Sequence, residues 1–192
     1  MEKAMDRRQR KTREAIFSAF IELLGEKNVN KITVSDIIER ADIGRATFYA
    51  HFETKDFLIK DMCDELFCHI FDNMHEHHSD HKHIFSCDAC DSVFVHLLKH
   101  LEKNDNNILQ LLSGCNNDLF LSYFEQGLIT LIKSQDDIYE HCKKMDIPQS
   151  FWTIHVASTF VEAIKWWINN NMEQSVDEIA SMFLKAINAN NP

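Results

Sequence analysis

Residues 31–52 read KITVSDIIERADIGRATFYAHF, and this stretch decides the fold. Thr33 can accept from the free amides of a new helix, with Asp36 three residues on as in a capping box. Val34, Ile37, Ile38 and Ala41 then recur at i, i+3, i+4 and i+7, one apolar face of a helix. A helix of only about two turns needs tertiary support. Asp42-Ile43-Gly44 predicts a tight turn, and Arg45 to Phe52 a second short helix. On that helix Phe48 and Phe52 share a side, while Ala46, Thr47, Tyr49 and Ala50 face away from it. Short helix, glycine turn and short helix together are the plan of a helix-turn-helix. Its second helix must be thin enough to enter the DNA major groove, and be held at a fixed angle by its buried side. Phe48 and Phe52 supply that side. Gly44 and Ala46 are small enough for close approach, and Arg45, Thr47, Tyr49 and His51 supply donors. The competing reading, a short connector in a helical bundle, gives Arg, Thr, Tyr and His no reason to gather outside the core.

Outward from this stretch the chain continues to read as helix. Only 4 Gly and 2 Pro occur in 192 residues, so helix breakers are scarce and hairpin turns lack their usual glycine. Upstream, Ile16, Phe17, Phe20, Leu23 and Leu24 make one apolar stripe, with Gly25 expected to stop the helix. Downstream, Thr54 caps a longer helix carrying Leu58, Met62, Leu66, Ile70 and Met74. The pattern fails from about His75 to Cys87. Helical spacing then resumes and closes in two helices, roughly 150–169 and 176–188, the second capped by Ser175 with Glu178. The expected fold is all-α: an N-terminal three-helix domain (8–68) joined to a larger helical bundle (69–192).

Charge divides along the same line. The chain carries 20 Lys/Arg and 30 Asp/Glu, a net charge of −10. Residues 1–60 hold 12 and 10 of these, a balance of +2; residues 61–192 hold the other 8 and 20, a balance of −12. A basic arm (Lys3, Arg7, Arg8, Arg10, Lys11, Arg13) on an acidic body suits a protein that offers one end to a polyanion. No apolar run is long enough to span a bilayer, and MEKAMDRRQRKTRE is not a secretory signal. The 6 cysteines then read as thiols in a reducing cytoplasm.

The run from Thr33 to Phe52, with TFYAHFETKDFL at its end, resembles the N-terminal domain of TetR-type (tetracycline-repressor-like) regulators over about residues 8–68. The resemblance implies a symmetric dimer whose third helix enters the major groove of double-stranded DNA. Thr33 would bind phosphate at the start of the second helix. Arg45, Ala46 and Thr47, following Gly44, would face bases, and Tyr49 and His51 would touch the backbone. Lys55 would meet phosphate at the start of the fourth helix. Many members carry Ser or Lys where this chain has Gly44 or Arg45, which bears on the bases read. The resemblance also implies a homodimer through the last two helices and a pocket for a small-molecule inducer in the body, with no cofactor required.

Two apolar stripes agree with the dimer: Ala157, Phe160, Val161, Ile164 and Ile168, then Val176, Ile179, Ala180, Phe183, Leu184 and Ile187. Trp152, Trp166 and Trp167 add apolar surface outside the first, unless they close the monomer core. Pocket candidates are Phe67, Phe71, Phe94, Leu98, Phe120, Tyr123, Phe124 and Trp152, in a pattern that equally describes a packed core.

The segment from Cys68 to His100 is not explained by the resemblance. His75, His77, His78, His81 and His83 precede Cys87 and Cys90 in C-x-x-C spacing, and His96 and His100 lie at i, i+4. Imidazole and thiolate suit zinc or another transition metal, with His81, His83, Cys87, Cys90, His96 and His100 the candidate ligands. Three readings stand together: an exposed loop with incidental metal affinity, a metal sensor, and a thiol redox sensor. A gene regulator, in the sense of a ligand-responsive repressor on a near-palindromic operator, is favoured over an enzyme. The chain has no Gly-rich phosphate loop, G-x-S-x-G or H-E-x-x-H. A helical metal-binding or interaction protein without DNA binding would leave the Arg45–Lys55 pattern without purpose.

Overall fold

The periodic apolar stripes become helices, and their buried faces merge into one core. The computed structural model describes residues 7–74, 92–103, 107–113, 118–134 and 146–188. Among these are nine α-helices and no strand: α1 (Arg7–Glu26), α2 (Val34–Arg40), α3 (Arg45–His51), α4 (Lys55–Met74), α5 (Val93–Glu102), α6 (Leu109–Ser113), α7 (Asp118–Lys133), α8 (Gln149–Asn169) and α9 (Val176–Asn188). No helix of the described residues is long and apolar enough to cross a membrane.

The head, α1 to α3 with the first turns of α4, closes around Phe17, Phe20, Ile37, Phe48 and Phe52, all buried. Phe17 meets Phe52 edge-on at 5.8 Å, and Phe48 lies 6.0 Å from Phe52. Thr33 and Asp36 form the expected capping box: the Asp36 amide donates to Thr33 Oγ1 at 3.2 Å, and the Thr33 amide to Asp36 Oδ2 at 2.7 Å. The Thr33 amide, the Lys27 ammonium and the Thr33 hydroxyl hold the Asp36 carboxyl down at about 2. Arg40 pairs with Glu26 at 2.8 Å and Glu22 at 3.2 Å, clipping the end of α2 to the end of α1. The left-handed residue of the turn is Asp42 (φ 52°), while Gly44 takes extended geometry as the N-cap of α3.

Helix α4 serves both halves, and the expected boundary at residue 68 falls inside it. In the head, Arg13 of α1 reaches Glu65 at 2.8 Å and Asp61 at 3.1 Å, with its guanidinium 4.6 Å above the Phe17 ring. In the body, α4 packs on α7, α7 on α8, and α9 on both α5 and α8. Gly127 of α7 lies directly under Phe67: an added Cβ would stand 2.3 Å from that ring. Ser175 and Glu178 form the second expected capping interaction, with amide-to-side-chain bonds of 2.8 and 3.3 Å.

Two expectations are corrected here. Gly25 does not stop α1, which runs through it to Glu26. Its bare Cα instead accommodates Asn107, whose amide would lie 3.1 Å from an added Cβ and donates to the Ile21 carbonyl at 2.8 Å. The tryptophans also divide. Trp152 and Trp167 are core residues, the latter donating its indole N–H to the Gln174 carbonyl at 2.8 Å, and only Trp166 is exposed. The stripe Ala157, Phe160, Val161 and Ile164 is likewise buried within the monomer, as are Val176, Ile179, Ala180 and Phe183.

Candidate functional site

Helix α3 presents one face to solvent and buries the other. Phe48 is 0% exposed, whereas Arg45, Ala46, Thr47, Tyr49 and Ala50 are all exposed. Packing therefore orients the helix and leaves this ridge uncovered among the described residues. Arg45 Nη2 donates to Ser35 Oγ at 3.1 Å, which steadies the guanidinium against α2 without burying it. Tyr49 is 47% exposed, its ring edge-on to Phe48 at 5.5 Å. A Cβ on Gly44 would meet only Thr47 Oγ1 at 3.7 Å, so the fold itself makes no demand for glycine there. The space it leaves opens outward. Arg7, Arg8, Arg10 and Lys11 are exposed on the first turns of α1 and extend the positive end.

The flanking residues Lys55 and Thr33 also make bonds within the fold. Lys55 Nζ donates to the carbonyls of Val29 (2.8 Å) and Ile32 (3.0 Å), tying α4 to the segment that enters α2. Partial burial lowers its pKa, opposed by the charge of Asp56. Two of the three ammonium donors thus serve the fold. Thr33 is exposed, but its hydroxyl donates to Asp36 Oδ2 at 2.8 Å within the capping box. His51 is half-buried, and desolvation together with the Arg13 charge lowers its pKa, favouring the neutral ring.

Among the described residues, aromatic body candidates fall in two ring clusters. Phe67 and Phe124 pack ring against ring at 5.4 Å, with Phe120 at 6.0 Å from Phe124. Phe94 belongs to a separate cluster with Phe160 (5.0 Å) and Phe183 (4.8 Å). Leu98 and Trp152 are buried, while Phe71 and Tyr123 lean half-buried on the core. An apolar groove lies between α8 and α9, lined by Trp166, Ile179, Met182 and Phe183.

Of the metal candidates, His81, His83, Cys87 and Cys90 lie outside the described residues, as do His75, His77 and His78. His96 and His100 of α5 are each 1% exposed and face His69 of α4, 6% exposed. Burial, with His100 and His69 next in effect, pushes the His96 pKa down to about 4. His69 escaped the sequence reading, although a signal existed. It follows Met62 by seven and Leu66 by three residues, a position on the apolar stripe of α4 where an isolated polar ring stands out. The nearby thiol of Cys63 is buried and its pKa is raised by desolvation, which makes it a poor nucleophile.

A family model described as bacterial regulatory proteins, tetR family, matches residues 16–62, and one described as a transcriptional regulator C-terminal region matches 88–189. The chain is 42% identical over 74 residues to the uncharacterized HTH-type transcriptional regulator YxbF of Bacillus subtilis; the match spans 38% of this chain and 20% of that protein. It is 34% identical to the TetR transcriptional regulator of Streptococcus agalactiae 2603V, over 95% of this chain and 96% of that one, with a TM-score of 0.69. A TetR-family regulator from Syntrophomonas wolfei has the same fold, with 18% identity over 93% of each chain and a TM-score of 0.67.

Proposed function

Because this chain belongs to the TetR family of transcriptional regulators, we propose that it is a cytoplasmic repressor rather than an enzyme. It binds a near-palindromic operator as a homodimer and releases it when a signal reaches the helical body. The observation that carries the reading is α3, with Phe48 wholly buried beneath an exposed ridge of Arg45, Ala46, Thr47 and Tyr49. In this reading Arg45 and Thr47 meet base edges, and Tyr49 and the arginines at the start of α1 meet phosphates. Phosphate contacts set position and base contacts set sequence. Repression needs only that a bound dimer occlude a promoter.

Selection of bound DNA from a random pool tests this directly. The expected product is a two-fold symmetric site, and Arg45→Ala should relax its preference at one position per half-site, costing about 1–3 kcal/mol there. If Arg45→Ala kept both the site and its affinity, α3 would not be the reading helix.

A further inference from the structure

His69 comes from the second half of α4, and His96 and His100 lie a turn apart on α5. One ligating nitrogen of each lies within 4.8 Å of the other two, and the ring centroids are 5.2 Å (His69–His96), 5.0 Å (His69–His100) and 5.1 Å (His96–His100) apart. A tetrahedral zinc with Zn–N bonds of 2.0–2.1 Å spaces its nitrogens about 3.3 Å apart, so modest ring rotations bring the set into range. We propose that His69, His96 and His100 hold one transition-metal ion of the zinc type through three imidazoles, with a fourth position left for water or an exchangeable ligand.

The donor chemistry selects the class of ion. Among the described residues the cluster offers three nitrogen donors and no carboxylate, which suits zinc, nickel or copper and not calcium or magnesium. Leu66, Ile70, Leu97 and Leu101, close to these histidines along α4 and α5, are fully buried, so the donors sit on the core-facing side of both helices. Three imidazoles converging from two helices can each turn one ring nitrogen to a shared ion.

The location gives the site a consequence. An ion here ties α4 to α5, and α4 is the helix that Lys55 and Arg13 join to the head. Metal occupancy therefore bears on the placement of α3, which makes the ion the signal of the regulator; this step rests on the DNA-binding reading above. The histidines at 75, 77, 78, 81 and 83 and the Cys87–Cys90 pair can bind metal on their own account, so the test removes them.

The experiment titrates cobalt(II) into the full chain in which those five histidines and two cysteines are replaced by serine, followed by visible absorption and by competition with zinc. One saturable equivalent with a tetrahedral nitrogen-donor spectrum supports the site, and no saturable uptake overturns it. In the same background His69→Gln and His100→Gln, each checked for retained helicity, should lose more than the 10–100-fold that loss of an outer-shell partner costs. Unchanged affinity in both would overturn the assignment. Gel shifts on the selected operator, with and without zinc, separate the two layers. A tenfold or larger change in DNA affinity supports the signalling role, and an unchanged affinity removes that role while the site stands. Absence of DNA binding in either form would refute the regulator reading and leave the metal site intact.

Discussion

Lys55 shows how much a single side chain's bonding can alter its role. A lysine at the start of a helix behind a DNA-reading unit invites assignment to phosphate, yet its ammonium bonds the Val29 and Ile32 carbonyls. Lys55→Met keeps the aliphatic stem and removes those bonds, so it should lower the stability of the DNA-free protein by about 1–3 kcal/mol, read as a drop in midpoint on chemical denaturation. A phosphate contact would behave otherwise, reducing the slope of log K against log salt by about one. For Lys55→Met the salt slope should match that of the parent. The sequence could show Lys55's place in the motif but not its partners, because the two carbonyls belong to residues some two dozen positions upstream. Phe48 and Phe52 were legible for the opposite reason: their role depends on helical spacing alone, and spacing is written in the chain.

Between elements, what matters is which surface covers which. The contact of α7 on α4 depends on Gly127 being without a side chain, since any Cβ would run into the Phe67 ring. Gly127→Ala should therefore destabilise the protein by about 1–3 kcal/mol through overpacking. Combining it with Phe67→Ala should cost less than the sum of the two single changes, a positive coupling measurable in a double-mutant cycle. Additive losses would mean that the ring and the missing side chain do not share the space. The element boundaries themselves were largely legible, because capping residues such as Thr33, Thr54 and Ser175 mark starts by local hydrogen bonding. Gly25 was misread because glycine serves equally as a stop and as a point of close approach, and the Asn107 that settles the matter lies far along the chain. The same limit hid His69: periodicity puts it on the buried stripe of α4 but cannot say that His96 and His100 stand opposite.

At the scale of the whole molecule, the proposed homodimer needs a surface that the monomer leaves free. The apolar stripes of the last two helices suggested an interface, but most of that surface is consumed within the monomer. What remains outside is more telling: Phe151, Ile154, Trp166, Met182 and Leu184 are five large apolar side chains exposed on α8 and α9. Trp166 and Met182 line one groove, and exposed apolar surface of this kind favours a partner, which a second copy of the helix pair would supply. Replacing Trp166 and Met182 together by Glu should turn a dimer into a monomer by light scattering, with helical content unchanged. Its DNA affinity should fall toward that of a single half-site. A dimer that survived the change would place the interface elsewhere. Helix α4, finally, is a lever. Its twenty residues, at 1.5 Å each, make an arm of roughly 30 Å, so a tilt of about 5° at the body end swings the far end by nearly 3 Å. In the proposed two-fold pair both arms would swing, and the two reading helices would have to keep step with successive turns of the duplex, about 34 Å apart. A small tilt within the body is thus enough to put such a pair out of step with the groove.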